Sequence, residues 1–246
     1  MCSEFSALRD KEYPGRFIII GRDLSGKNVI VVYAVTGRSP SSRARRIEIT
    51  EDGAWVKPAE EKTLREGNRE LLIYPAILYG QGIAVSNGRQ TSSIRDNLSP
   101  ESNPEDVLRS ALIHWDYEPD APAFTPRISG CVLPDGRAAL SIIKRKEDGS
   151  SLKDYFKIPM QAGKGRMIST YSGINRDPLP SFEGEPEDIP LIYGTAEETA
   201  EAVDLALSVS NSNRDFRVAV ACVFFSAQTE KLNISVINIS EKKHNE

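Results

Sequence analysis

Residues 16–35, RFIIIGRDLSGKNVIVVYAV, set the architecture. Residues 16–22 and 28–35 are short runs rich in Ile and Val, and the turn formers Asp23, Leu24, Ser25 and Gly26 stand between them, the pattern of a β-hairpin. Neither run alternates polar with apolar residues, so both strands are expected to be buried on two faces. The segment Gly21 to Asn28, GRDLSGKN, also comes close to the phosphate-loop pattern GxxxxGK[ST]. Asn28 stands where that loop needs a hydroxyl, and the next segment is β-rich, whereas a phosphate loop opens onto a helix N-terminus. The hairpin reading prevails.

Beyond this hairpin, further strands are expected at residues 45–50, 53–57, 70–77 and 82–86, each bounded by Gly, Asp or Pro. The middle of the chain returns to sheet at 127–133 and 137–144, joined by Pro134, Asp135 and Gly136, residues that suit a tight turn. Two closing strands are expected at 217–225 and 232–239. Asn103, Pro104, Glu105 and Asp106 mark a helix start, and Val107, Leu108, Ala111, Leu112 and Trp115 follow at helical spacing until Pro119. A second helix starts at Thr195, with Glu198 completing a capping box and Ala196, Ala200, Val203 and Leu207 forming its apolar face. The proline-rich residues 177–190 are expected to run as an extended surface loop, and residues 1–14 and 240–246 as flexible tails. Two blocks of strands, each with a helix after it, predict a single α+β domain of two packed sheets with helices outside them.

Composition narrows the function classes. With 39% hydrophobic and 27% charged residues, the 246-residue chain can build a core without disulfide staples. A net charge of −4 offers no basic surface for a nucleic-acid backbone, but leaves room for a small anion held by local arginines. Cys2, Cys131 and Cys222 fit neither a disulfide framework nor a CxxC metal site, and the first ten residues contain no apolar run. A cytoplasmic protein with no membrane or nucleic-acid partner is therefore expected. A symmetric homo-oligomer stays open, because a sheet protein can bury any apolar face against its own copy.

Three features bear on chemistry. Met1-Cys2 raises an N-terminal nucleophile, but some fourteen mostly polar residues precede the first strand, whereas that nucleophile normally opens it. His114 and His244 lie far apart in sequence, so acid–base work falls to Glu, Asp, Tyr, Lys or Arg. Residues 37–46, GRSPSSRARR, gather four arginines in a Ser-rich loop; they read either as a solvated basic loop or as a bidentate grip on an anion.

Several motifs, taken in order, resemble the archaeal-type inosine monophosphate (IMP) cyclohydrolase family, which also has bacterial members. They are GRFIIIGR (15–22), RSPSSR (38–43), YPAILYG (74–80), VSNGRQT (85–91), DYE (116–118) and TPRI (125–128), with PSFEGEP (180–186) similar to the bacterial branch. The resemblance implies a four-layer αββα sandwich like that of N-terminal nucleophile hydrolases, without their nucleophile. It also implies conversion of 5-formamidoimidazole-4-carboxamide ribonucleotide to IMP and water without metal, folate or nucleotide cofactor, with a small purine ribonucleotide as the substrate partner.

By matching motif positions, the resemblance places Arg43, Tyr79 and Glu118 in catalysis. Arg43 and Tyr79 would donate to the developing oxyanion, and Glu118 would orient or deprotonate the carboxamide. Arg38, Asn87, Gly88 and Arg127 are the expected substrate-binding residues, with Arg127 on phosphate or beside Glu118 as its counter-charge. The sequence departs from the family in carrying Ala76 where archaeal members have another aromatic, and in its greater length after Ile143. Two other readings stand beside this one: an N-terminal nucleophile amidohydrolase using Cys2, and a purine-nucleotide-binding protein without turnover.

Overall fold

The computed structural model describes residues 5–59, 69–208, 215–229 and 231–242. Two antiparallel sheets carry it. The six-stranded sheet contains β1 (Arg16–Arg22), β2 (Asn28–Thr36), β10 (Lys164–Ser169), β11 (Glu187–Pro190), β12 (Arg217–Ser226) and β13 (Leu232–Asn238), in the spatial order β11, β10, β1, β2, β12, β13. The seven-stranded sheet is a meander of β3 (Arg45–Thr50), β4 (Gly53–Pro58), β5 (Tyr74–Gly80), β6 (Gly82–Ser86), β7 (Arg127–Val132), β8 (Ala138–Arg145) and β9 (Ser151–Lys157). The helices are α1 (Ser6–Arg9), α2 (Pro40–Arg43), α3 (Arg69–Leu72), α4 (Gln90–Asn97), α5 (Pro104–Ala111), α6 (Ala196–Ser208) and α7 (Ile239–Lys242).

The opening hairpin forms as the sequence predicts, and its turn is fastened by Asp23, whose carboxylate accepts from the Asn28 backbone N–H at 3.0 Å and side-chain amide at 2.8 Å. Strand alternation then sorts its side chains. Ile18, Ile20, Val29, Val31 and Tyr33 meet Ile47, Val56, Val85, Ile128 and Leu140 of the other sheet. Phe17, Ile19, Ile30 and Val32 point the other way and pack on Leu8 of α1 and Ala200, Val203 and Leu207 of α6. On the outer face of the seven-stranded sheet, Ala84, Cys131 and Ala139 pack beneath Ile94 of α4 and Leu108 and Leu112 near α5. Each such aliphatic side chain contributes about 1.5–3 kcal/mol on burial, which is why β1 and β2 can dispense with polar residues.

Several expectations need correction. The strand expected at 70–77 is instead α3 followed by β5, because the apolar run continues through Ile77 and Leu78 to Gly80. The helix expected to reach Trp115 ends at Ala111, and Asn103 makes no side-chain cap although Pro104 occupies the first turn. Within the proline-rich segment residues 187–190 form β11 on β10, an edge strand, where a missing N–H is tolerated. Residues 5–14 are not a loose tail: Phe5, Leu8 and Tyr13 are buried, the first two against α6 and the third against Tyr171 and Phe216. Similarly, residues 240–242 belong to α7, where Lys242 pairs with the buried Asp204 at 2.8 Å. Strands β9 and β10 and helix α4 had no expectation. Among the described residues no helix is long and apolar enough to cross a membrane.

Candidate functional site

One end of the layer between the sheets is polar. Antiparallel pairing brings the starts of β1, β3, β5 and β7 to this end together with the ends of β2 and β6. Alternation puts Arg16 on the inner face with Ile18 and Ile20, and Arg45 on the inner face with Ile47. Tyr33 and Tyr74 approach from opposite sheets, and their hydroxyls share a hydrogen bond of 2.6 Å.

Glu118 reaches this end from the long connection between β6 and β7. Its Oε1 accepts from Arg16 Nη2 at 2.6 Å and from Asn87 Nδ2 at 3.1 Å, and its side chain is 3% exposed. Asn87 is itself fixed: its amide also donates to Pro126 O, while its Oδ1 accepts from Ile128 N at 2.9 Å and Gln90 Nε2 at 3.1 Å. The Glu118 backbone N–H donates to Thr125 O, and the Thr125 hydroxyl shares a 2.7 Å hydrogen bond with Tyr171. Because Asn87 and Arg16 both engage Oε1, the second carboxyl oxygen has no hydrogen bond among the described residues.

The electrostatics follow from burial. Desolvation raises the Glu118 carboxyl above the usual carboxylate range; Arg16 and Arg127 pull it down, Asp120 pushes it up, and burial prevails. Arg16 remains a cation: its desolvation, the largest single effect, is outweighed by the fields of Glu118, Tyr74, Tyr171 and Tyr33 acting together. Burial, then the neighbouring Tyr74, pushes the Tyr33 phenol well up, so that phenol stays neutral and can donate. A carboxyl moved toward neutrality and facing fixed donors has the character of an acid–base group.

Residues 13–230, which include this whole cluster, match the family model described as IMP cyclohydrolase-like protein. The chain belongs to that family. Among its relatives, the IMP cyclohydrolase of Methanopyrus kandleri is 32% identical over 183 residues, which is 70% of this chain and 89% of the relative. That of Methanococcus aeolicus is 29% identical over 165 residues, 65% of this chain and 74% of the relative. That of Methanocaldococcus jannaschii is 26% identical over 200 residues, 78% of this chain and 85% of the relative.

In this IMP cyclohydrolase-like chain the expected site residues separate. Glu118, Asn87, Gly88 and Arg127 lie together. Arg127 does not touch Glu118; it donates to Asp116 O at 2.8 Å and Gln90 Oε1 at 3.1 Å and lies over the Trp115 ring. At Gly88 a Cβ would come within 2.6 Å of Arg127 Nη1 and 2.5 Å of Gln90 Oε1, so a larger residue there would push those two side-chain ends aside. Arg38 lies over Tyr13 and is held by Asp177 at 3.0 Å and Asn175 at 3.2 Å. Arg43 is exposed at the end of α2.

Tyr79 is not brought to the cluster. It lies five residues along β5 from Tyr74, about 16 Å at strand rise, at the opposite end of the inter-sheet layer. Its hydroxyl is buried without a partner among the described residues, and burial pushes it up to about 12. Sequence reasoning missed Arg16, Tyr33, Arg45, Tyr74, Thr125 and Tyr171. Arg16, Tyr74 and Thr125 stand in three of the family-like motifs, and the signal that finds Arg16 is its even spacing from Ile18 and Ile20. Among the described residues no group of three or more His, Cys, Asp or Glu is arranged to hold a metal. Cys2 and His244 lie outside the described residues.

Proposed function

We propose that this chain is an IMP cyclohydrolase, closing the second purine ring of 5-formamidoimidazole-4-carboxamide ribonucleotide to give IMP and water, at the Glu118 cluster. The observation that carries the site assignment is the buried Glu118 carboxyl, anchored through one oxygen by Arg16 and Asn87 with the other oxygen left over. Membership of the family supports the reaction.

In this reading the carboxamide nitrogen attacks the formyl carbon, the new carbon–nitrogen bond forms, and Glu118 takes the proton that the nitrogen sheds. The formyl oxygen gathers negative charge, answered by the Tyr74 hydroxyl and the Arg16 guanidinium. Glu118 then returns its proton to that oxygen to give the hydroxyl, and the hydroxyl leaves as water with the proton that the former formamide nitrogen gives up as the carbon–nitrogen double bond closes. Tyr74 takes the donor role expected of Tyr79. Arg43, exposed at the same end, meets the incoming nucleotide; Arg127 and Gly88 keep the Asn87 loop in place around Glu118.

The two sheets, with helix clusters on both outer faces, support the four-layer arrangement of the nucleophile hydrolases, here working with a carboxyl in place of the N-terminal nucleophile. Two free, buried cysteines fit a cytoplasmic setting. Purified protein mixed with the formylated ribonucleotide, without metal or folate, should produce IMP, followed by absorbance. Binding of IMP with no cyclisation would favour the turnover-free nucleotide binder.

A further inference from the structure

The arginine-rich loop after β2 ends in a side chain just beyond the RSPSSR motif. Arg45 is 2% exposed and points inward at the start of β3, two residues before the core residue Ile47. Its Nε donates to Ser42 O at 2.8 Å, while its Nη1 is buried with no partner among the described residues. Of the other arginines near this end, Arg43 is exposed to water and the rest have partners: Arg16 in Glu118, Arg38 in Asp177, Arg46 in Glu48, and Arg127 in Gln90 and the Asp116 carbonyl. No ion pair among the described residues answers Arg45.

A guanidinium withdrawn from water without an anion is costly, and the usual resolution is a carboxylate within hydrogen-bonding reach. Here a ligand can supply the anion. Arg45 and Arg16 both act on the Tyr33 hydroxyl, which is bonded to Tyr74, so Arg45 lies at the margin of the Glu118 cluster. The planar fork of a guanidinium matches two oxygens of a phosphate monoester better than a single carbonyl does.

We infer that Arg45 is the residue that grips the phosphate monoester of the ligand, an assignment that rests on the proposed nucleotide substrate. The fold holds Arg45 buried and unpaired, and the phosphate completes it. Reaction and phosphate recognition are then divided between the two inward arginines, Arg16 holding Glu118 and Arg45 holding the anion.

The test compares wild type with Arg45→Met and Arg45→Lys, using inorganic phosphate, IMP and inosine as probes at constant ionic strength. Inorganic phosphate should raise the thermal midpoint of wild type above a chloride control and leave that of Arg45→Met unchanged. Calorimetric affinity for IMP should fall at least tenfold in Arg45→Met and less in Arg45→Lys, while affinity for inosine stays the same. A merely structural Arg45 would show otherwise: the unliganded variants would melt lower than wild type, and IMP and inosine would weaken together. That result, or a retained preference for IMP over inosine in Arg45→Met, overturns the assignment. Wild type that gains stability from phosphate through Arg45 yet never cyclises the formylated substrate would sink the cyclohydrolase reading and leave this one standing. Cyclisation by wild type with an unaltered phosphate response in Arg45→Met does the reverse.

Discussion

The two ends of the inter-sheet layer are built from the same strands and differ in how those strands are joined. At the Tyr79 end, β1 turns to β2, β3 to β4, β5 to β6 and β7 to β8 within a few residues. Between β5 and β6 the turn is so tight that Gly82, at φ +121°, leaves no room for a Cβ beside the Val132 carbonyl. At the Glu118 end, apart from the short turn from β8 to β9, the connections are long: β2 reaches β3 through α2, β4 reaches β5 through α3, and β6 reaches β7 through α4 and α5. Only long connections can carry side chains over the end of a sheet, and a rigid sheet below holds them in place. Asn87 and Glu118 both come from the longest of these three, which is why the proposed chemistry gathers at one end only.

If the two ends differ in this way, neutralising the chemistry at the centre of the Glu118 end should have the greatest consequence. Glu118→Gln keeps the size of the side chain and the contact with Asn87, but removes the proton acceptor. Its kcat/KM for cyclisation should fall about 10²–10⁴-fold, the range for loss of a positioned acid–base group. A fall of less than about threefold would falsify the central role of the cluster.

A second pair of variants sets the two ends directly against each other. Tyr74→Phe removes a hydroxyl bonded to Tyr33 inside the cluster and should lower kcat by about tenfold or more. Tyr79→Phe removes a buried hydroxyl with no partner among the described residues, so it should leave kcat within about twofold and hold or slightly raise the thermal midpoint. Equal losses in the two variants would mean that the reacting centre does not sit where the long connections converge.

This pair also shows what was legible in the sequence. Periodicity and turn residues located the hairpin, the β7–β8 pair and α6, because those signals are local. Glu118 and Asn87 were legible through ordered motifs. The choice between Tyr74 and Tyr79 was not, because both stand in YPAILYG and both face inward. They do so despite their odd spacing: β4 pairs Ala54 with Ile77 but Trp55 with Pro75, so Ala76 is an extra residue that resets the alternation. A bulge of this kind is a property of pairing with a neighbour, and no pattern within β5 announces it. Arg45 was likewise hidden, since burial of one arginine in a run of four depends on which of them continues into a strand.

The pH dependence probes the same contrast through a more modest change. Burial raises the folded Glu118 carboxyl above its unfolded value, so the folded protein holds that proton more tightly. Its contribution to stability is therefore present in full below the ordinary carboxylate value, and is lost as pH rises through the raised folded value. Thermal midpoints of wild type, measured relative to Glu118→Gln, should decline over that interval. Cyclisation should run the opposite way, increasing as the carboxylate forms. A midpoint difference that grows with pH would show the Arg16 pairing outweighing burial, and the carboxyl would then sit low.

Least change of all is expected from thiol modification, which separates a carboxyl site from a thiol site. Cys131 is buried in β7 with its thiol pushed up to about 12, and Cys222 is buried in β12 with its thiol raised further by the same desolvation. Alkylation requires thiolate, so neither should react while the protein is folded. Iodoacetamide at mildly alkaline pH should therefore leave cyclisation within about twofold, with mass spectrometry finding at most one label, on Cys2. Inactivation in step with that one label would return the chemistry to the chain terminus and remove Glu118 from its centre. Full activity with Cys2 quantitatively labelled excludes a thiol nucleophile there, and leaves the end of the sheets where Glu118 meets Arg16 as the place where the proton moves.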